Sequence, residues 1–133
     1  MARYVLDPQT LLRVVADDRR VAPAHQLVAP NSVRSEALEL LLTAVRAGKL
    51  SEKEALATHT RVTELKMRLL GDRASRATAW QLARKHDWDG LHWAEYLAVA
   101  RLQADAVVTV DAELAALAAG IVPVEPYEAL FRG

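Results

Sequence analysis

Two aspartates stand at the ends of apolar, β-type runs: Asp7 follows Tyr4-Val5-Leu6, and Asp111 follows Ala106-Val107-Val108-Thr109-Val110. Strands this apolar are buried on both faces of a parallel sheet, and such sheets bind ligands beyond the carboxyl ends of their strands. Clustered carboxylates repel each other unless something positive compensates them, so the pair suggests a cation. Glu36, early in an amphipathic segment after Ala29-Pro30, is expected to approach the same edge from the side. Hard oxygen donors from three segments describe a Mg²⁺ or Mn²⁺ site. In phosphodiester hydrolysis such ions generate hydroxide near neutral pH and stabilise the pentacovalent charge, with no side-chain nucleophile.

Each acid has a plainer role as well. Asp7 and Asp111 both precede helical patterns and suit helix N-caps, and Glu36 near a helix start suits the macrodipole. Taken singly each acid suits a structural role; a metal site is expected of the three jointly.

The elements that must position them alternate strand and helix. After Asp7, Leu11, Leu12, Val14 and Val15 form a helical face that ends near Asp17-Asp18-Arg19-Arg20, with Pro8 in the first turn. His25 to Ala29 reads as a short strand stopped by Pro30. Asn31 or Ser32 is expected to cap a helix carrying Leu38, Leu41, Leu42 and Val45, which Gly48 closes. Ser51 and Glu54 form a capping-box pair, and Thr58, Val62, Leu65 and Leu69 share a face of one helix running to Gly71. Helices follow at roughly 75 to 86 and 91 to 103, then the strand 106 to 110 and a helix Glu113 to Ala119 closed by Gly120. Ile121-Val122-Pro123-Val124 reads as a short edge strand. The order predicts a three-layer α/β sandwich around a small, mainly parallel sheet, in one domain spanning residues 1–133.

Composition sets the limits. With 133 residues, 52% of them hydrophobic, one ordinary core is expected. Seventeen basic residues balance 17 acidic ones, which argues against a protein that coats nucleic acid through net charge. Cysteine is absent, removing disulfides, thiolate zinc sites and cysteine nucleophiles, and a cytoplasmic location is expected. The charge is nonetheless uneven. Arg61, Lys66, Arg68, Arg73, Arg76, Arg84 and Lys85 oppose only Glu64 and Asp72 between 59 and 85, a solvated face or an RNA track. Trp80, Trp88 and Trp93 fall in one stretch with His86 and His92. Such rings stack unpaired bases or anchor packing, and Trp80 is expected to anchor a core or a protein contact. The histidines lack metal-ligand spacing.

Val5-Leu6-Asp7 with Leu11-Leu12, Val28-Ala29-Pro30 leading to Ser35-Glu36, Ala94 to Ala100, and Val107-Val108-Thr109-Val110-Asp111 together resemble the PIN domain, most of all its VapC-type toxin nucleases. The resemblance covers nearly the whole chain. It implies Asp7, Glu36 and Asp111 as metal-site acids and Thr109 as a supporting hydroxyl. It also implies a Mg²⁺- or Mn²⁺-dependent endoribonuclease, usually dimeric and silenced by a small antitoxin.

Two departures fall at that edge. Trp93 occupies the family's third acidic position, and Gln9 replaces a small hydroxyl residue two places after Asp7. Asp89, four residues before Trp93, is the substitute ligand on spacing and equally a helix N-cap ahead of Gly90. Three functions follow. The first is a toxin-type endoribonuclease with the acids holding one or two ions. The second is a PIN-like domain that has lost its chemistry and binds RNA or protein. The third is a phosphoryl-accepting receiver, which fits poorly because no lysine follows Lys85. Apolar faces within 11 to 15 and 38 to 45 leave a groove for an antitoxin segment or a second copy.

Overall fold

The computed structural model describes all residues, Met1–Gly133. Five parallel strands form its sheet: β1 (Arg3–Leu6), β2 (Gln26–Pro30), β3 (Arg68–Leu70), β4 (Ala106–Val108) and β5 (Val124–Glu125), in the spatial order β3-β2-β1-β4-β5. Six helices connect them: α1 (Pro8–Asp17), α2 (Val33–Arg46), α3 (Glu52–Glu64), α4 (Arg73–His86), α5 (His92–Gln103) and α6 (Ala112–Ala118). A 3-10 turn, Tyr127–Phe131, ends the fold.

The central strands are apolar throughout because both faces are covered. Val5, Leu6, Val28, Val107 and Val108 are fully buried. α1, α2 and α3 pack together in one layer, and α4, α5 and α6 in the other, with α5 crossing β1, β2 and β4. Right-handed parallel crossovers require this division, since the chain leaves β1 toward β2 and β3 and returns to β4 and β5 on the other side. The connections from β1 and β4, which are neighbours, therefore run in opposite directions. That reversal is a topological switch point, and open parallel sheets bind ligands beyond the carboxyl ends of the strands at such a point.

Several expectations are corrected. The helix foreseen through Leu69 stops at Glu64, and Arg68–Leu70 instead pairs with Val28–Pro30 as an edge strand. The hydrogen bonds available from β2 outweigh the helical spacing of Leu65 and Leu69. The strand expected at 106 to 110 ends at Val108, leaving Thr109 and Val110 in the turn before α6. The last strand is only Val124–Glu125. Ser32 holds the N-cap position of α2 but gives no side-chain cap, because its backbone is helical (φ −79°, ψ −6°) where a side-chain cap needs an extended residue; its hydroxyl donates to Glu36 at 3.1 Å. The apolar face of α1 is not part of a groove: Leu11, Val14 and Val15 lie in the core. Trp80 anchors no core and is 60% exposed on α4.

Candidate functional site

Asp7 leaves β1 directly into α1. It caps that helix, accepting a 3.4 Å bond from the Thr10 backbone N–H, and Pro8 follows at the first helical position, where its missing N–H costs nothing. The side chain is wholly buried, at 0% exposure. Burying a carboxylate is costly without donors, and two hydroxyls supply them: Thr10 and Thr109 both donate to Asp7 Oδ1, Thr109 at 2.7 Å. Each hydroxyl then accepts from the turn after β4. The Val110 N–H donates to Thr10 Oγ1 at 2.9 Å, and the Asp111 N–H to Thr109 Oγ1 at 2.9 Å. Asp7, at the end of β1, is thus joined through both threonines to the turn after β4.

Asp111 follows at once, half-buried at the start of α6. Its Oδ1 accepts from the backbone N–H groups of Glu113 and Leu114 at 2.9 and 3.1 Å. Here the capping role is present in full, and Oδ2 carries none of these bonds. Glu36, one turn into α2, gathers three partners: the Tyr96 hydroxyl donates to Oε2, the Ser32 hydroxyl donates to Oε1, and His92 Nδ1 lies 3.4 Å from Oε1. Burial first, and then the hydrogen bond and charge of Glu36 with the nearby charge of Asp7, push the Tyr96 phenol far up, so it stays protonated. Tyr96 therefore donates to Glu36, within the electrostatic reach of Asp7.

Trp93 packs edge-on against Tyr96, 5.5 Å between ring centres, and 4.3 Å from His92. An aromatic wall stands where the resemblance expects an acid. Asp89 neither caps a helix nor joins the acids: α5 begins at His92 after Leu91, and Asp89 is exposed in the preceding turn. It lines a cleft of about 400 Å³ with Trp88, Trp93 and Glu113. Ser32 opens on a second, smaller cleft of about 170 Å³ beside Arg76 and Glu95, so Glu36 bridges the two through Ser32 and His92. Gln9 is exposed and takes no part. The hydroxyl of this turn that reaches Asp7 is that of Thr10.

No three His, Asp or Glu side chains group closely enough to hold a metal ion, so Asp7, Glu36, Asp111 and Asp89 do not make one ready cluster. The donors nevertheless suit a hard cation in kind, being carboxylates and hydroxyls with no sulfur. Mg²⁺ commonly needs only one or two protein carboxylates, with water and substrate phosphates completing its octahedron.

The sequence did not connect Thr10 with Asp7, or Ser32, Tyr96 and His92 with Glu36. Thr10 had a signal, since residue i+3 from an N-cap aspartate is the one whose backbone it binds. Tyr96 and His92 had none, because their link to Glu36 spans 60 and 56 residues.

No protein-family model matches the chain, and no curated protein does. Among solved structures it is similar to a Pyrobaculum aerophilum protein, described as the crystal structure of PAE2754, with 21% identity, a TM-score of 0.74, and coverage of 97% of this chain and 92% of that one. At that identity the likeness concerns the fold. No helix is long and apolar enough to cross a membrane.

Proposed function

We propose that this chain is a PIN-like endoribonuclease of the toxin type that works at the carboxyl ends of β1 and β4 on an RNA phosphodiester. The observation that carries the reading is the meeting of Asp7, Thr109 and Asp111 at the carboxyl ends of two strands whose connections diverge, with the Glu36-bound Tyr96 phenol within reach of the Asp7 charge. Of Asp7, Glu36 and Asp111, one or two would hold a divalent cation directly, with water and RNA phosphate oxygens as its other ligands. Bound there, Mg²⁺ or Mn²⁺ supplies an activated water and charge stabilisation at phosphorus. Thr10 and Thr109 hold Asp7 in one rotamer through their hydroxyls, and Tyr96 and His92 orient Glu36. The exposed arginines of α4 meet backbone phosphates. A small antitoxin and a second copy of the chain are the proposed protein partners. The groove between α2 and α3, lined by Leu38, Leu41, Leu42 and Leu56, is where an apolar segment would seat.

Trp93 favours a second reading, in which the domain binds RNA or protein without cutting. It fills the expected acidic position with an aromatic surface continuous with Tyr96 and His92. RNA cleavage in Mn²⁺ by wild type, Asp7→Asn and Trp93→Asp separates the two. Cleavage by wild type that Asp7→Asn abolishes supports the nuclease; cleavage by Trp93→Asp alone supports the binding domain. Thermal stability gives a second readout. An ion that binds only the folded chain adds about 2.7 kcal/mol at a hundredfold excess over its dissociation constant, and a flat Mn²⁺ titration, with and without a short RNA, counts against an ion site.

A further inference from the structure

We propose that the cavity at the amino ends of β2 and β3, on the edge opposite the acids, binds the phosphate of a nucleotide. Its volume is about 830 Å³, within the range of ligand pockets, and its lining contains Arg19, Arg20, Lys66 and Arg68 but no acidic residue. Arg19 is already neutralised, with both its terminal nitrogens 2.7 Å from the two carboxylate oxygens of Glu128. Arg20, Lys66 and Arg68 take part in no ion pair. They come from two separate segments, the loop before β2 and the entry to β3, and all three are exposed.

Three unpaired cations around one cavity, on a chain of zero net charge, are a local field that repels itself and attracts an anion. Between them lies an apolar floor. Ala22 and Leu27 are buried, and Val21, Leu65 and Met67 are half-buried beside them. A bare inorganic anion leaves that surface uncovered; a phosphate carrying a ribose and base covers it while Arg20, Lys66 and Arg68 read the charge. Because every strand is parallel, this cavity and the Asp7 and Asp111 carboxylates stand at opposite ends of the sheet. The inference does not depend on the proposed nuclease activity. The nucleotide is either free or one unit of an RNA strand.

Isothermal titration of the full chain in EDTA at low salt tests it, with ADP, adenosine, pyrophosphate and an oligoadenylate as probes. ADP is expected to bind at least about tenfold more tightly than adenosine and than pyrophosphate. Arg20→Glu, Lys66→Glu and Arg68→Glu are each expected to weaken ADP about tenfold, as loss of a charge-assisted hydrogen bond does, with unchanged urea midpoints. An oligoadenylate binding more tightly than ADP assigns the site to an RNA strand, and equal affinity assigns it to a free nucleotide. The proposal is overturned by absence of binding to both ADP and the oligoadenylate, by adenosine or pyrophosphate binding as well as ADP, or by charge-reversed variants that bind like wild type.

Discussion

Asp7 shows how one buried charge organises its surroundings. Its carboxylate is satisfied by hydroxyls in place of a counter-charge, and each hydroxyl accepts a backbone N–H from the turn after β4. Thr10→Val keeps shape but leaves the Val110 N–H without its partner and Asp7 one donor short. Urea denaturation is expected to show a loss of about 1–3 kcal/mol. Tyr96 gives a pH signature. Unfolded, its phenol ionises near the ordinary value of 10.0, while in the fold burial and the two carboxylates hold the proton on. Stability from this group is therefore complete below about pH 10 and falls above it, at about 1.4 kcal/mol per pH unit while only the unfolded chain is ionised. Tyr127, pushed up to about 12 by burial and its bond to Asp17, acts in the same sense but is common to both proteins when wild type is compared with Tyr96→Phe. Denaturation curves between about pH 9 and 11.5 should fall more steeply for wild type; equal slopes would mean the phenol is not held neutral.

Among the elements, α6 depends most visibly on a site residue. Asp111 accepts two of its free N–H groups, so Asp111→Ala is expected to cost about 0.5–2 kcal/mol, whereas Asp111→Asn, an equally good cap, costs a few tenths. That contrast also separates capping from catalysis: in the nuclease reading Asp111→Asn loses activity while its thermal midpoint stays close to wild type. β3 shows where local pattern fails. Leu65 and Leu69 continue the helical stripe of Val62, but Lys66-Met67-Arg68 can equally extend, and the unpaired edge of β2 decides for a strand. The choice has functional weight, since extending the chain here puts Lys66 and Arg68 at the amino edge and Arg76 at the carboxyl edge. The basic run is thereby divided between both ends of the sheet, with Arg61 bonded to the Val15 carbonyl and withdrawn from it.

Across the whole molecule, burial separates residues that hold the fold from those left for partners. Leu114 is fully buried, and Leu114→Ala is expected to cost about 2–5 kcal/mol. Leu42 and Leu56, 49% and 57% exposed beside the α2–α3 groove, are expected to tolerate serine within about 0.5 kcal/mol by the same urea measurement. The apolar runs, the proline and glycine stops and the capping pairs settled by themselves an α/β chain with a parallel sheet and acids at strand ends, because those signals act within a few residues. The places of Asp7 at the end of β1, Glu36 early in α2 and Asp111 at the start of α6 were legible in that way. What only the tertiary structure decided was their company: Thr10 and Thr109 on Asp7, Tyr96 and His92 on Glu36, Trp93 as a wall, Asp89 held away, and three bare cations at the far edge. Those relations join residues distant in sequence, and a side chain's partners there depend on strand order and helix placement, which no local pattern encodes.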